Sequence, residues 1–300
     1  MRTCLCCGLT KVSWAPQESL LYGTTTNVKS PGFLGNVLKA FPLFGRTISA
    51  GQLVFVCNIC GTRTSADLTD ILDRELPTCS NCRSSIRFRS LVAALEERLF
   101  NQVSPLSQLQ ERKDINGLGM SDEKVYSLLL EQKFSYTNTF FHTEPRLDIT
   151  DPPSVFRNRF DFVISAEVME HVPPPIGIAF RNLRSLLRPS GLLVLSVPFS
   201  QEPDTVEHFP ELHRFEIRER SKEPYLVNIT REGDRQIFRN LIFHGGRGMT
   251  LEMRLFSRSA VLKLLEESGF GDIRIHSKLM PEWGIVHLQP FSLPITAIAE

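Results

Sequence analysis

The sequence predicts an α/β protein built on a doubly wound, largely parallel sheet and preceded by a small cysteine-rich module. Two observations carry that prediction. Residues 160–199 place one amphipathic segment between two apolar runs, and all seven cysteines lie before Ser84.

Phe160, Phe162, Val163 and Ile164 form a short apolar run that ends in the polar loop Ser165 to Glu167, as a parallel strand buried on both faces does. Ile176, Ala179, Phe180, Leu183, Leu186 and Leu187 then recur at helical spacing until Arg188-Pro189-Ser190-Gly191 stops the helix. Leu192 to Val197 follows as a second apolar strand. Such a strand-helix-strand unit has a right-handed crossover, and its ligands sit beyond the carboxyl ends of the strands.

The phrases Asp161 to Val172, with Glu170-His171 in the loop, and Leu187 to Pro198 resemble the fourth and fifth strands of class I S-adenosylmethionine (SAM)-dependent methyltransferases. The resemblance covers about 114–300 and is strongest over 148–198. It implies a Rossmann-like, doubly wound, seven-stranded sheet, methyl transfer as the activity and SAM as cofactor. The expected organisation is a segment 1–100 with a zinc ribbon, then a methyltransferase domain over 101–300 carrying an insertion at about 199–249.

Composition narrows the alternatives. With 34 Lys+Arg against 33 Asp+Glu the net charge is +1, so no global field favours nucleic acid or an anionic membrane. No apolar run approaches the roughly 20 residues that span a bilayer. The first residues lack the apolar core of a signal peptide, so the expectation is a cytoplasmic protein without a membrane partner.

Cys57-Asn58-Ile59-Cys60 and Cys79-Ser80-Asn81-Cys82 are two C-x-x-C pairs at the spacing of a four-cysteine zinc ribbon. Each turn presents two thiolates to one side of a metal, and two turns close a tetrahedral shell. Disulfides disagree with a reducing compartment, and a thioredoxin-like pair lacks its βαβ surroundings. Cys4, Cys6 and Cys7 have no second knuckle nearby and read as free thiols or the vestigial end of an irregular N-terminal segment, and residues 24–50 read as a loop-rich connection. After the second knuckle, Arg83, Arg87 and Arg89 stand near the start of a helix capped by Ser84 or Ser85, where cations are disfavoured. They read either as solvated side chains or as binders of an anion, a substrate phosphate or a carboxylate of the next domain.

The resemblance also assigns site residues. Gly117 and Gly119 match the glycine turn that lets the backbone approach the methionine part of SAM, with Ser121 at the third position. Asn138 and Glu144 stand near the place of the acid that grips the ribose, and Asp148 at the place of the acid that meets the adenine amino group. The other reading of Asp148 is a turn residue. Glu167, Glu170 and His171 face the cofactor and the acceptor. His171 suits a general base where the acceptor must lose a proton, although a Glu-His pair also braces such loops.

Phe199 to Met249 form an insertion after the fifth strand, where it would close over the acceptor. His208, His213 and His244 are its candidate bases or acceptor ligands, so His171, His208 and His244 are the candidate catalytic set. A second metal site would need these histidines to converge, which spacing alone does not decide. Gly245-Gly246-Arg247-Gly248 reads as an anion-binding turn or a hairpin tip. A closing helix from Arg258 to Gly269 and strands near Asp272 to His276 and Leu293 to Ala299 complete the sheet.

A four-cysteine module joined to a methyltransferase is similar to enzymes that modify sugars and to some that modify ribosomal RNA. The near-neutral charge and the enclosing insertion favour O-methylation of a small or glycosidic acceptor. The alternatives are an RNA methyltransferase that contacts RNA through the ribbon, and a non-catalytic zinc-binding interaction protein on the same scaffold.

Overall fold

The computed structural model describes residues 48–49, 51–220, 223–244, 250–287 and 291–300. Cys4, Cys6, Cys7, most of the loop-rich stretch and the glycine turn at 245–248 lie outside them.

The chain enters through an antiparallel sheet of β1 (Ile48–Ser49), β2 (Gln52–Val56) and β3 (Arg63–Asp67). Leu53 and Phe55 alternate inward along β2, the period of a half-buried strand. The two C-x-x-C turns follow β2 and precede the helix Ile86–Phe100. That helix starts after Ser85 and ends at Asn101, whose φ of 56° is a left-handed stop.

The central sheet is built from β4 (Arg112–Met120), β5 (Phe134–Thr139), β6 (Phe160–Ala166) and β7 (Leu187–Ser196), all parallel. The helices Lys124–Lys133 and Gly177–Leu186 connect them. In the ladder between β6 and β7, Phe160 pairs with Leu187 and Phe162 with Leu192, so the Pro/Gly stop bulges out between them.

Beyond β7, short strands β8 (Phe199–Ser200) and β9 (Val206–Glu207) lead into an antiparallel sheet of β10 (Arg214–Arg220), β11 (Glu223–Ile229) and β12 (Arg235–Phe238). The pair β13 (Phe243–His244) and β14 (Thr250–Leu251) follows, and β15 (Arg254–Ser257) returns the chain beside β8 and β9. The helix Arg258–Glu267, β16 (Phe270–Ile275) and β17 (Ile295–Ala299) finish the fold. Ser257 caps this last helix by accepting a bond from the Ala260 amide.

The order across the central sheet is β16-β17-β7-β6-β4-β5, with β17 antiparallel to both neighbours. The direction of winding reverses between β4 and β6, which is where doubly wound sheets bind their ligands. Six strands are present among the described residues, where seven were expected. The place of the missing third strand is the stretch after Phe140, which makes only one bridge, between Phe140 and Arg146. Pro145, Pro152 and Pro153 have no amide hydrogen for a ladder there, and Asp148 folds the chain into a turn.

One face of the sheet is covered by the helices Gly177–Leu186 and Arg258–Glu267, over Phe180, Leu183, Val163, Leu193, Leu195 and Val261. The other face is covered by the N-terminal module. Leu91, Val92 and Leu95 of the helix Ile86–Phe100 share one buried cluster with Phe162, Ile164, Leu192 and Val194 of the sheet, and with Leu53 and Phe55 of the cysteine module. The boundary expected at 100 to 101 therefore falls at the end of a helix that packs on the sheet.

Candidate active site and metal centre

The four sulfurs of Cys57, Cys60, Cys79 and Cys82 all lie within 4.8 Å of one another. Cys57 Sγ is 3.6 Å from Cys82 Sγ and Cys60 Sγ is 3.7 Å from Cys79 Sγ. Sulfurs placed about 2.3 Å from a common tetrahedral centre would stand about 3.8 Å apart, so the donor set has the chemistry and the size for zinc. The knuckles are shaped by amides. Gly61 N–H donates to Cys57 O, Arg83 N–H to Cys79 O, and Cys79 N–H to Ser84 O.

Beneath the thiols lies Arg89, fully buried. Its guanidinium donates to Ser84 O at 2.7 Å, Thr78 Oγ1 at 2.9 Å and Gly284 O at 3.0 Å, and it rests over the Phe55 ring. Burial brings its pKa down to about 10, and the neighbouring cysteines oppose that fall. Arg87 donates to Glu75 at 2.8 Å and stacks on Phe88. Of the three arginines read as anion binders, Arg83 alone remains exposed. The link to a carboxylate of the methyltransferase part is made instead by Arg74, which donates to Glu167 Oε1 at 2.8 Å.

At the switch point the residues matched to the cofactor are engaged by the chain itself. Gly117 and Gly119 lie within β4 rather than in a loop after it. A Cβ on Gly117 would come within 2.2 Å of the Phe162 ring, and one on Gly119 within 1.8 Å of Tyr136 Oη and 2.2 Å of Asp122 Oδ2. Asn138 spends its amide on the next loop, accepting from Asp122 N–H at 2.9 Å and donating to Asp122 O at 2.8 Å. Asp122 accepts hydrogen bonds from both Tyr126 and Tyr136, and burial pushes its pKa up to about 7 against their pull. Glu144 is exposed and accepts from Arg146 N–H, and Asp148 accepts from the amide and hydroxyl of Thr150. Glu167 follows β6 at a φ of 55°. Burial would raise its pKa, but Arg74 and Arg87 outweigh it and hold the carboxylate below its usual range.

The histidines do converge. Met169–His171 is one turn past β6, and the insertion brings β13 and the Leu251–Arg254 segment over it. Met253 N–H donates to Glu170 O at 2.8 Å, and the buried Arg254 donates to Met169 O at 3.1 Å, Val172 O at 2.6 Å and Glu207 at 2.8 Å. His208 Nε2 lies 2.7 Å from Glu252 Oε1 and His244 Nε2 lies 2.7 Å from Glu252 Oε2. Burial alone would raise Glu252, yet the bonds from His208 and His244 bring it down to about 2. His171 stands edge-on to His244 with ring centres 4.8 Å apart, and burial brings its pKa down to about 4. Glu170 is fully buried and its pKa is raised well above the usual range by burial and by Glu167. His213 joins none of this; its backbone amide donates to Asn228.

Glu252, Arg74 and Tyr136 were not singled out by sequence reasoning. The signal for Glu252 is its setting, since Leu251-Glu252-Met253-Arg254 places two charges between apolar residues and all four are buried. A cleft of about 420 Å³ lined by Phe199, Arg258, Leu262, Ile273, Ile275, Ser277 and Leu293 opens beside β16, and no residue of the histidine cluster lines it.

Compared with known proteins, residues 109–274 match the family described as a methyltransferase domain. No curated protein matches the chain. Among solved structures it is similar to 1,6-didemethyltoxoflavin-N1-methyltransferase of Burkholderia thailandensis, at 14% identity over 70% of this chain and 78% of that one, with a TM-score of 0.39. It is also similar to the CurJ carbon methyltransferase, at 16% identity over 72% of this chain and 55% of that one, with a TM-score of 0.43. The glycopeptide N-methyltransferase MtfA, solved with SAM, gives 13% identity over 70% and 94% with a TM-score of 0.40. Among the described residues no helix is long and apolar enough to cross a membrane. Because the match at 109–274 spans more than half of the 300 residues, the chain belongs to the methyltransferase-domain family.

Proposed function

We propose that the protein transfers a methyl group from SAM to an oxygen of a small or glycosidic acceptor held beneath the insertion, and that Cys57, Cys60, Cys79 and Cys82 hold a structural zinc ion. Membership of the methyltransferase-domain family carries this reading, since the matched region 109–274 contains β4 to β15 and the loops at their carboxyl ends.

Gly119 gives room to Tyr136 and Asp122, and Asn138 is engaged with the loop backbone, so these positions pack the switch point rather than mark out contacts to the methyl donor. The acceptor side is better equipped. An acceptor hydroxyl must lose its proton on methylation, and Glu170, His171, His208, His244 and Glu252 gather at the carboxyl edge of β6 to serve that loss. Contact between nucleophile and methyl carbon supplies much of the rate in such displacements, and an insertion that covers the acceptor would also keep water from it.

The zinc reading rests on the sulfur separations and on the buried cation beneath them. A contact with RNA has little to stand on, since Arg87 is paired with Glu75 and Arg89 is buried. The test is methyl transfer from labelled SAM into cell extract, divided into RNA, protein and small-molecule fractions. Label in the small-molecule fraction is the expected result. Label in RNA alone would replace the acceptor class, and no label in any fraction would defeat the methyl-transfer reading.

A further inference from the structure

We propose a second metal centre, for a divalent transition ion of the zinc type, formed by the Glu170 carboxylate, His171 Nε2 and His244 Nδ1. It is separate from the four-cysteine site. The three ligand atoms lie within 4.8 Å of one another, with His171 Nε2 at 3.6 Å and His244 Nδ1 at 3.9 Å from Glu170 Oε1. Ligands held about 2.1 Å from a tetrahedral ion stand about 3.4 Å apart, so the three side chains close the set by drawing inward on the ion.

Hydrogen bonding around the cluster prepares each atom for an ion. A carbonyl can only accept, so the 2.9 Å contact between His171 Nδ1 and Leu251 O puts the ring proton on Nδ1 and leaves the Nε2 lone pair turned to Glu170. The Glu252 carboxylate does the same from the other side, taking the Nε2 proton of His244 at 2.7 Å and leaving Nδ1 directed at Glu170. Glu252 is itself steadied by His208 at 2.7 Å. Backbone carbonyls and carboxylates behind ligating imidazoles are the usual means by which a protein aims them at a metal.

Glu170 supplies the independent observation. It is fully buried, and neither carboxylate oxygen has a hydrogen-bond partner. A protonated Glu170 would satisfy itself by donating to a histidine nitrogen, but 3.6 Å and 3.9 Å are too long for that bond. A buried carboxylate facing two imidazole nitrogens at those distances lacks a cation, and nitrogen with carboxylate ligands selects zinc and its neighbours over magnesium or calcium. Three protein ligands leave a tetrahedral ion one position for water or an acceptor oxygen. That use of the site rests on the methyl-transfer reading; the binding of the ion does not.

The experiment counts metal on the full chain, stripped with chelator and reloaded with zinc or cobalt(II). The expected result is two equivalents in the wild type and one in Glu170→Gln. The cobalt protein should show a strong tetrathiolate spectrum together with weaker bands from nitrogen and oxygen ligation, and the variant should lose only the weaker bands. His244→Gln, altered on the insertion rather than in the core, should behave as Glu170→Gln does. One equivalent in the wild type, or two retained in a folded Glu170→Gln, would overturn the proposal. Neither count depends on transferase activity, so failure of the methyl-transfer assay and failure of the metal site are told apart.

Discussion

Glu96 shows what one buried carboxyl costs this fold. It sits in the helix Ile86–Phe100 with one oxygen unpaired and the other receiving only a long bond from Ser104 N–H, and burial pushes its pKa up to about 9. The folded state therefore holds a proton that the unfolded chain releases near its ordinary carboxylate pKa, so stability falls as pH rises from about 4.5 toward 9. Glu96→Gln should leave the melting temperature near its wild-type value at acid pH and raise it by about 5 °C at mildly alkaline pH. Equal shifts at both pH values in thermal melts would mean that the side chain is not titrating. Arg89 is the opposite case, a buried cation whose every bond is used. Arg89→Ala should cost about 3 kcal/mol, or about 6 °C, with zinc saturating, and Arg89→Lys should recover only part of it because an ammonium lacks the planar fork.

At the scale of elements, the strand-helix-strand unit, the closing helix and the cysteine knuckles were legible because each is written in local spacing. The role of the helix Ile86–Phe100 as a layer of the sheet was not. Its apolar face reads the same whether it covers the ribbon or Phe162 and Val194. Nor could spacing join His208 and His244 through Glu252, since the three meet only when the strands of the insertion return across β6. The seventh strand is not formed among the described residues, and Pro145, Pro152 and Pro153 around Leu147 and Ile149 are the local reason. The shared layer sets an expectation for removal of the proposed zinc. Thiolates without their ion would repel one another beside Arg89 and loosen the elements that cover the sheet, so chelation should lower a single calorimetric transition for the whole chain. A separate early transition, with the sheet melting unchanged, would show the module to be energetically independent.

For the molecule as a whole, charge offers no long-range guidance, since the 34 basic and 33 acidic side chains nearly cancel. What organises it is a stack of four tiers: cysteine module, helix Ile86–Phe100, sheet, and outer helices. Arg254, just past the insertion, ties it to the carboxyl edge by bonding Glu207 on one side and Met169 O and Val172 O on the other. Because Phe55 and Leu53 of the cysteine module share their cluster with Phe162 and Leu192, a substitution on either side of that seam must suit both partners. The two halves are thus bound to change together. A hybrid that grafts this module onto another member's catalytic half would carry mismatched surfaces unless the helix Ile86–Phe100 and the Gly284 segment beneath Arg89 travelled with it.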